Sequence, residues 1–206
     1  WLFDSMRDTV SVHPTAIIDD GAQLGSGVCV WHYCHVSTGS AIGENSTLGQ
    51  NVYVGRDVQI GCGCKIQNNV SVYAGVTLQD NVFCGPSVTF TNVLQPRAFI
   101  NKKHEFLETV IEVGASLGAN ATVVCGVTVG KFALVGAGAV VLKDVPSHGL
   151  VVGCPARQIG WVSRAGIRLN LPLIGHQYAT CPQTHQDYVL INGSVFEAKS
   201  SSMGLS

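Results

Sequence analysis

Charge is what this sequence has least of. Lys, Arg, Asp and Glu together make up 12% of its 206 residues, about half the share of an average globular domain. The formal net charge is −1. A chain so poor in charge and so near neutrality is neither a disordered polyelectrolyte nor a nucleic-acid coat. Aromatics are sparse too, at 7% against 46% apolar residues overall, so the apolar content sits in small and branched aliphatics. Long hydrophobic runs are missing. The longest apolar stretch, Phe132–Leu142, is well short of the roughly 20 residues of a spanning helix, and no membrane span is expected. Trp1–Val10 has no extended apolar core or small-residue cleavage site, so no secretory leader is read there. The eight cysteines are scattered, with no zinc-ligand CxxC spacing. That pattern excludes a zinc ribbon and favours reduced thiols in a cytoplasmic protein. Cys62 and Cys64, one residue apart, read as small structural residues.

What is abundant is glycine, 24 residues with no every-third-residue pattern, which excludes collagen. The order lies instead in a period of six. Val12, Ile18, Leu24, Val30, Val36, Ile42, Leu48, Val54, Ile60, Ile66, Val72 and Leu78 are twelve aliphatics in one register, followed by Cys84 and Phe90. With aliphatics near a quarter of the chain, chance gives such a run on the order of once in ten million. The phase breaks and resumes at Ile111, Leu117, Val123, Val129, Val135 and Val141. Two residues before the aliphatics stand small or β-branched residues such as Val28, Cys34, Ser40, Val52 and Val70. Residues two apart share a face of a strand. Each hexapeptide therefore predicts a short strand with two inward side chains and then a corner. Glycine often follows the aliphatic directly (25, 43, 49, 55, 61, 85, 118, 130, 136), where a corner needing unusual dihedrals is expected. No such unit buries its face alone, so the units must stack as a parallel solenoid.

Three hexapeptides per turn is the arrangement of the hexapeptide-repeat acyltransferases, which this chain resembles. The resemblance implies an all-β solenoid, a left-handed parallel β-helix of triangular section. An 18-residue turn sets residues in columns. One corner column reads His32, Gln50, Asn68, Pro86, and its neighbour Tyr33, Asn51, Asn69, Ser87. A face column reads His35, Tyr53, Ser71, Thr89 and leads to the corner column Thr38, Arg56, Ala74, Asn92. The corner amides have two readings. Asn tolerates turn dihedrals and amide ladders cap a solenoid edge; alternatively they line a groove, as the triplet Gln67-Asn68-Asn69 beside Tyr73 suggests. Between Phe90 and Ile111 a segment richer in charge interrupts the repeat and collects Arg97, Lys102, Lys103 and His104. It is either a solvated loop or a site for phosphate or carboxylate. Ala119, Ala137 and Pro155 form a late corner column of small side chains, with Lys143 at another corner and Arg157 just beyond the repeat.

The expected layout is a lead-in over 1–11, a β-helix over 12–146 with an extruded loop at 91–110, and a C-terminal extension over 147–206. In the extension, Val151–Trp161 is expected to lead into a short helix capping the open edge. Asn192-Gly193 between apolar runs signals a hairpin. The Ser-rich end reads as disordered. Cys181 and His185 would make half a metal site with no second pair evident, so no metal is expected.

Several stretches narrow the resemblance: Val12-His13-Pro14-Thr15-Ala16, Gln67–Tyr73, Cys84–Ser87, Phe90-Thr91-Asn92-Val93, Asn120–Gly130 and Val152–Trp161. Over about 12–165 the chain is similar to the nucleotide-sugar N-acetyltransferases. Within them it looks like the branch acetylating the 3-amino group of UDP-2-acetamido-3-amino-2,3-dideoxy-glucuronate for surface polysaccharide (O-antigen). That resemblance implies acetyl-CoA as co-substrate and a homotrimer with sites between subunits. It implies Asn92 beside the acceptor amine, with His35 as the second catalytic candidate. Arg97 and Lys102 would take the uronate or diphosphate, and Asn68, Asn69 and Tyr73 the sugar nucleotide. Ala119 and Ala137 would flank pantetheine, and Lys143 and Arg157 the CoA phosphates. A dTDP-linked 3- or 4-amino-6-deoxy sugar is the rival acceptor. A zinc β-helix enzyme, which needs three histidines across coils, and a non-catalytic solenoid are remote rivals.

Overall fold

The computed structural model describes residues 9–102 and 104–198. The first eight residues of the lead-in, Lys103 and the Ser-rich end from 199 therefore lie outside the described residues.

The hexapeptides fold alike. Two residues form a strand, and the third residue after the inward aliphatic takes a left-handed φ, as at Gly27 (71°), Tyr33 (57°), Asn45 (58°), Asn51 (61°), Gly63 (66°) and Asn69 (64°). The glycines directly after the aliphatic are not in this region, which corrects the sequence expectation. Their reason is close approach: a Cβ on Gly85 would stand 2.6 Å from the Ala119 nitrogen, and one on Gly55 2.8 Å from the Ala74 nitrogen. The corner dihedral is needed two residues later, where Asn, Asp, Ser or Gly usually stands.

The strands stack in parallel on three faces. Face A begins Ser11–Val12, Cys29–Val30, Thr47–Leu48, face B begins Ile17–Ile18, His35–Val36, Tyr53–Val54, and face C begins Gln23–Leu24, Ala41–Ile42, Gln59–Ile60. Register runs at 18 residues, with His35 opposite Tyr53 and Tyr53 opposite Ser71. The result is the expected left-handed β-helix of hexapeptide repeats, about eight turns tall. Between Val28 and Val141 the inward side chains are at most 4% exposed. They fill a narrow apolar core that each rung extends by a few aliphatics.

The repeat breaks where the sequence says, but the excursion is tighter than 91–110. The Thr91 amide still donates to Val123 O (3.2 Å), and Thr109 already donates to Gly75 O (2.8 Å). Across the break, Thr89 faces Thr122. The loop leaves and re-enters at the edge between faces B and C, where Leu107 donates to Asn92 O (3.1 Å).

No helix caps the far end among the described residues, and this part of the expectation is corrected. Gly149–Val152 stacks parallel on Leu134–Val135, the chain turns at 153–156, and Arg157–Val162 returns antiparallel, followed by Arg168–Leu169. The last rung has free backbone donors and acceptors along its edge, which a strand satisfies and a helix does not. Gly153 and Pro155 also oppose a helix there. The hairpin expectation holds: Asn192 (φ 47°) and Gly193 (φ 81°) turn Asp187–Ile191 into Ser194–Glu197, with His176–Thr180 as third strand. Trp161, Leu169, Cys181, Tyr188, Leu190 and Val195 form a second small core.

Candidate active site

The residues singled out from sequence all fall on face B, on its two edges, or on elements springing from them. Arg157 opens the antiparallel strand added to the end of the face A sheet, and none of the described candidates lies on face C or on the edge between faces A and C.

The edge between faces B and C carries Tyr73, Asn92, the loop and Lys143. Asn92 is half-buried at the loop root, its carbonyl held by Leu107. The side-chain amide has no hydrogen-bond partner among the described residues. It can therefore offer Oδ1 as acceptor and Nδ2 as donor to a ligand. Thr91 beside it is committed, since its hydroxyl accepts from the Cys125 amide at 2.9 Å. Tyr73 is partly exposed, its ring 6.0 Å from that of Tyr53. Lys143 is exposed, two stacked rungs beyond Asn92.

Within the loop, Lys102 is already engaged. Its ammonium donates to Glu105 Oε2 at 2.7 Å, with His104 3.6 Å from the other oxygen. The hydrogen bond from Lys102 holds the Glu105 carboxyl below the usual glutamate range. Arg97 differs: exposed, it spends one N–H on Pro96 O (2.8 Å) and has no acidic partner among the described residues. A shallow depression of about 370 Å³ lies under the loop, lined by Leu94, Gln95, Glu105 and Leu107.

The edge between faces A and B carries the other group. Asn68 Oδ1 accepts from the Gln50 amide (2.9 Å), and Asn51 Nδ2 donates to Asn69 Oδ1 (3.1 Å). This is the ladder reading, and Asn69 also occupies a left-handed corner position. Ala119 and Ala137 continue the same edge, with backbones so close that only glycine fits at Gly85 and Gly118. Arg157 begins the capping strand beyond them and donates to Ala156 O at 2.9 Å. Asn69 and the corner residue Gly75 are six residues of chain apart, so the two edges are separated by up to about 20 Å. One chain does not bring Asn68 and Asn69 to Asn92.

His35 lies between the edges, on face B, three rungs from Thr89. At about 4.8 Å per rung that is about 14 Å along the stack, too far for His35 to share a proton with a group at Asn92. Its Nε2 instead pairs with Asp19 Oδ1 at 3.0 Å, and its ring packs edge-on to Tyr53 at 5.6 Å. Asp19 was missed from sequence, although the 18-residue register places it one rung below Ser37, beside His35. Arg56, two rungs below Asn92 in its own column, was seen in the register but given no role. Cys181 and His185 belong to one tight turn, where His185 N–H donates to Cys181 O. No group of three metal-capable side chains occurs among the described residues.

Comparison with known proteins matches residues 34–74 and 108–143 to the hexapeptide repeat of succinyl-transferase. The chain is 36% identical over 166 residues to the dTDP-3-amino-3,6-dideoxy-alpha-D-galactopyranose 3-N-acetyltransferase of Aneurinibacillus thermoaerophilus, covering 81% of this chain and 85% of that one. A hexapeptide-repeat acetyltransferase of Vibrio cholerae O1 biovar eltor, solved with acetyl coenzyme A, superposes with a TM-score of 0.52 at 27% identity, over 61% of this chain and 72% of that one. Galactoside acetyltransferase with coenzyme A shares the fold (TM-score 0.53, 24% identity, 62% and 66% coverage). The fold and these relatives thus define an acyl-transferring enzyme on a β-helix. The chain belongs to the hexapeptide-repeat acetyltransferase family.

Proposed function

We propose that the protein transfers an acetyl group from acetyl-CoA to the 3-amino group of a nucleotide-linked amino sugar. The likeness to a sugar 3-N-acetyltransferase over most of both chains carries this reading. The finer assignment is the UDP-linked 2-acetamido-3-amino uronate of surface-polysaccharide synthesis. Arg97 supports it, as an exposed guanidinium without an acid partner among the described residues, which suits a carboxylate bidentately. The dTDP-linked 3-amino-6-deoxy sugar is the second reading, favoured by the relative's own substrate.

The chemistry asks little of the protein. An unprotonated amine attacks the thioester carbonyl, the N–C bond forms, the C–S bond breaks, and the amine proton leaves to solvent or to the departing thiolate. Asn92 Oδ1 accepts one amine N–H and aligns the lone pair, which is positioning and not proton abstraction. A strong base is unnecessary for an amine nucleophile, and His35 with Asp19 serves the ordering of face B instead. Asn68, Asn69 and Tyr73 flank the sugar nucleotide, with Arg97 and the column partner Arg56 toward its anionic groups. Ala119 and Ala137 present nothing beyond Cβ, a narrow bed suited to pantetheine, with Lys143 and Arg157 for the CoA phosphates.

A homotrimer supports this arrangement. A neighbouring copy would lay one edge of its face B beside the other edge of this one. It would also cover Leu94, Phe99 and Ile100, which the loop holds out in solvent with Phe99 85% exposed. The test is thiol release from acetyl-CoA across UDP-uronate, dTDP- and GDP-linked amino sugars. Turnover of the UDP-uronate above the others supports the finer reading. Preference for the dTDP sugar replaces it, and absence of release with every amine rejects sugar N-acetylation.

A further inference from the structure

The first rungs of the edge between faces A and B hold side chains that neither the core nor the transfer chemistry uses. At this corner later rungs carry Gly49-Gln50-Asn51, Gln67-Asn68-Asn69, Gly85-Pro86-Ser87, Gly118-Ala119-Asn120 and Gly136-Ala137-Gly138, none of them aromatic, but this one carries Trp31-His32-Tyr33. The rings lie against one another. His13 stacks on His32 with centroids 3.4 Å apart, and the Trp31 ring lies 6.1 Å from His32, within 17° of parallel. Trp31 is 48% exposed and Tyr33 63%. Tyr33 also sits at φ 57°, where the next two rungs use Asn51 and Asn69. A bulky residue is strained in that region. Strain spent on a side chain that is then left in solvent points to a role outside folding.

We propose that Trp31, Tyr33 and the His13–His32 stack form the nucleobase subsite for the acceptor, gripping the pyrimidine of a UDP- or dTDP-sugar. Exposed aromatic faces recognise planar bases by stacking. Gln50, exposed in the next rung with no side-chain partner among the described residues, adds an amide for the base edge. Rung order separates this base from the adenine of CoA. Cys29, Thr47, Lys65 and Phe83 pair in succession on face A, followed by Ser116 and Leu134. The aromatic corner is therefore three rungs, about 14 Å, on one side of the Asn92 rung, while Ala119 and Ala137 lie one and two rungs on its other side. A nucleotide sugar extended from the aromatic end and pantetheine from the alanine end meet at the level of Asn92. The assignment rests on the proposed acceptor class and deepens it.

The test uses the full chain, with UDP, dTDP and 3′,5′-ADP titrated separately by calorimetry and acetyl-CoA affinity measured alongside. Tyr33→Asn installs the residue of the following rungs, so its thermal midpoint should hold or rise; Trp31→Ala is the second variant. Each should weaken UDP or dTDP binding about 10- to 100-fold, the range of one lost base stack. Acetyl-CoA and 3′,5′-ADP affinities should stay within about two-fold. Loss of pyrimidine-nucleotide affinity upholds the subsite even where the transfer assay finds no acceptor. Unchanged UDP and dTDP affinity in both variants, no binding by the wild type, or a selective loss of 3′,5′-ADP binding would each overturn it. Turnover of an amino sugar with unaltered KM in both variants keeps the transferase and removes the subsite.

Discussion

The two edges of face B are built from the same hexapeptide and differ in one respect. The edge between faces A and B runs unbroken, and its asparagines are spent within the stack, Asn68 on the Gln50 backbone and Asn51 on Asn69. The edge between faces B and C is broken by the loop, and Asn92 at the break keeps its amide free among the described residues. A continuous column must satisfy the rung above and the rung below. A column interrupted by an insertion releases its groups from that duty. Residue type alone does not separate the two cases, because both edges carry asparagine.

The comparison is sharpest at Asn92. Asn92→Ala should lower kcat for acetyl transfer about 10²- to 10³-fold, as for loss of one aligned hydrogen-bonding group, with the KM for acetyl-CoA within about two-fold. Steady-state kinetics with both substrates varied checks it, and an unchanged kcat removes Asn92 from the mechanism. On the unbroken edge a large effect on stability should come from Gly85→Ala, whose Cβ meets the Ala119 backbone at 2.6 Å. Overpacking of this kind costs about 2–3 kcal/mol, seen as a fall of several degrees in the melting midpoint; a wild-type midpoint would show that the rungs can part. Asn68→Ala should lose about 1 kcal/mol by leaving the Gln50 N–H without its acceptor. Denaturant titration reads that loss, and a KM for the sugar nucleotide raised more than about ten-fold would give Asn68 a binding role beyond the ladder.

The smallest effect belongs to the third edge, where His148 is 5% exposed and bonded through Nδ1 to Val162 O at 3.0 Å. Burial holds its pKa below the ordinary 6.5. A folded-state value lower than the unfolded one means the unfolded chain binds the proton first. The stability from neutral His148 is thus whole above about pH 6.5 and declines as the pH falls toward the lowered value. His148→Phe should flatten the acid side of the stability–pH curve by under about 1 kcal/mol, and an unaltered slope below pH 6.5 would assign the acid loss to other groups.

Much of this was legible before any coordinates. The aliphatic register named the core almost residue by residue from Val30 to Phe90, because that position of each hexapeptide points into a narrow apolar section with little room for polar substitution; on the end rung Val12 stays 39% exposed. The loop was visible as a phase break, and Asn192-Gly193 as a turn whose two positive φ values few other pairs accept. The capping helix was misread, since Val151–Trp161 shows no periodicity that reveals the open backbone edge it must satisfy. Glycine was found in the right places for the wrong reason: at Gly85 the constraint comes from a backbone 34 residues away, which no local pattern displays. Asp19 escaped because its partnership with His35 exists only once rungs are stacked.

The sequence by itself determined the period, the strands, the inward residues and the site of the insertion, since these depend on side-chain volume and turn preference within a few residues. Only the tertiary structure decided which polar groups are consumed by stacking and which stay available. That outcome rests on contacts one rung away, 18 residues along the chain or more, and on whether the column is whole or broken. The same amide is a rung of a ladder at Asn68 and open to a ligand at Asn92, and the difference lies in the neighbours the fold supplies.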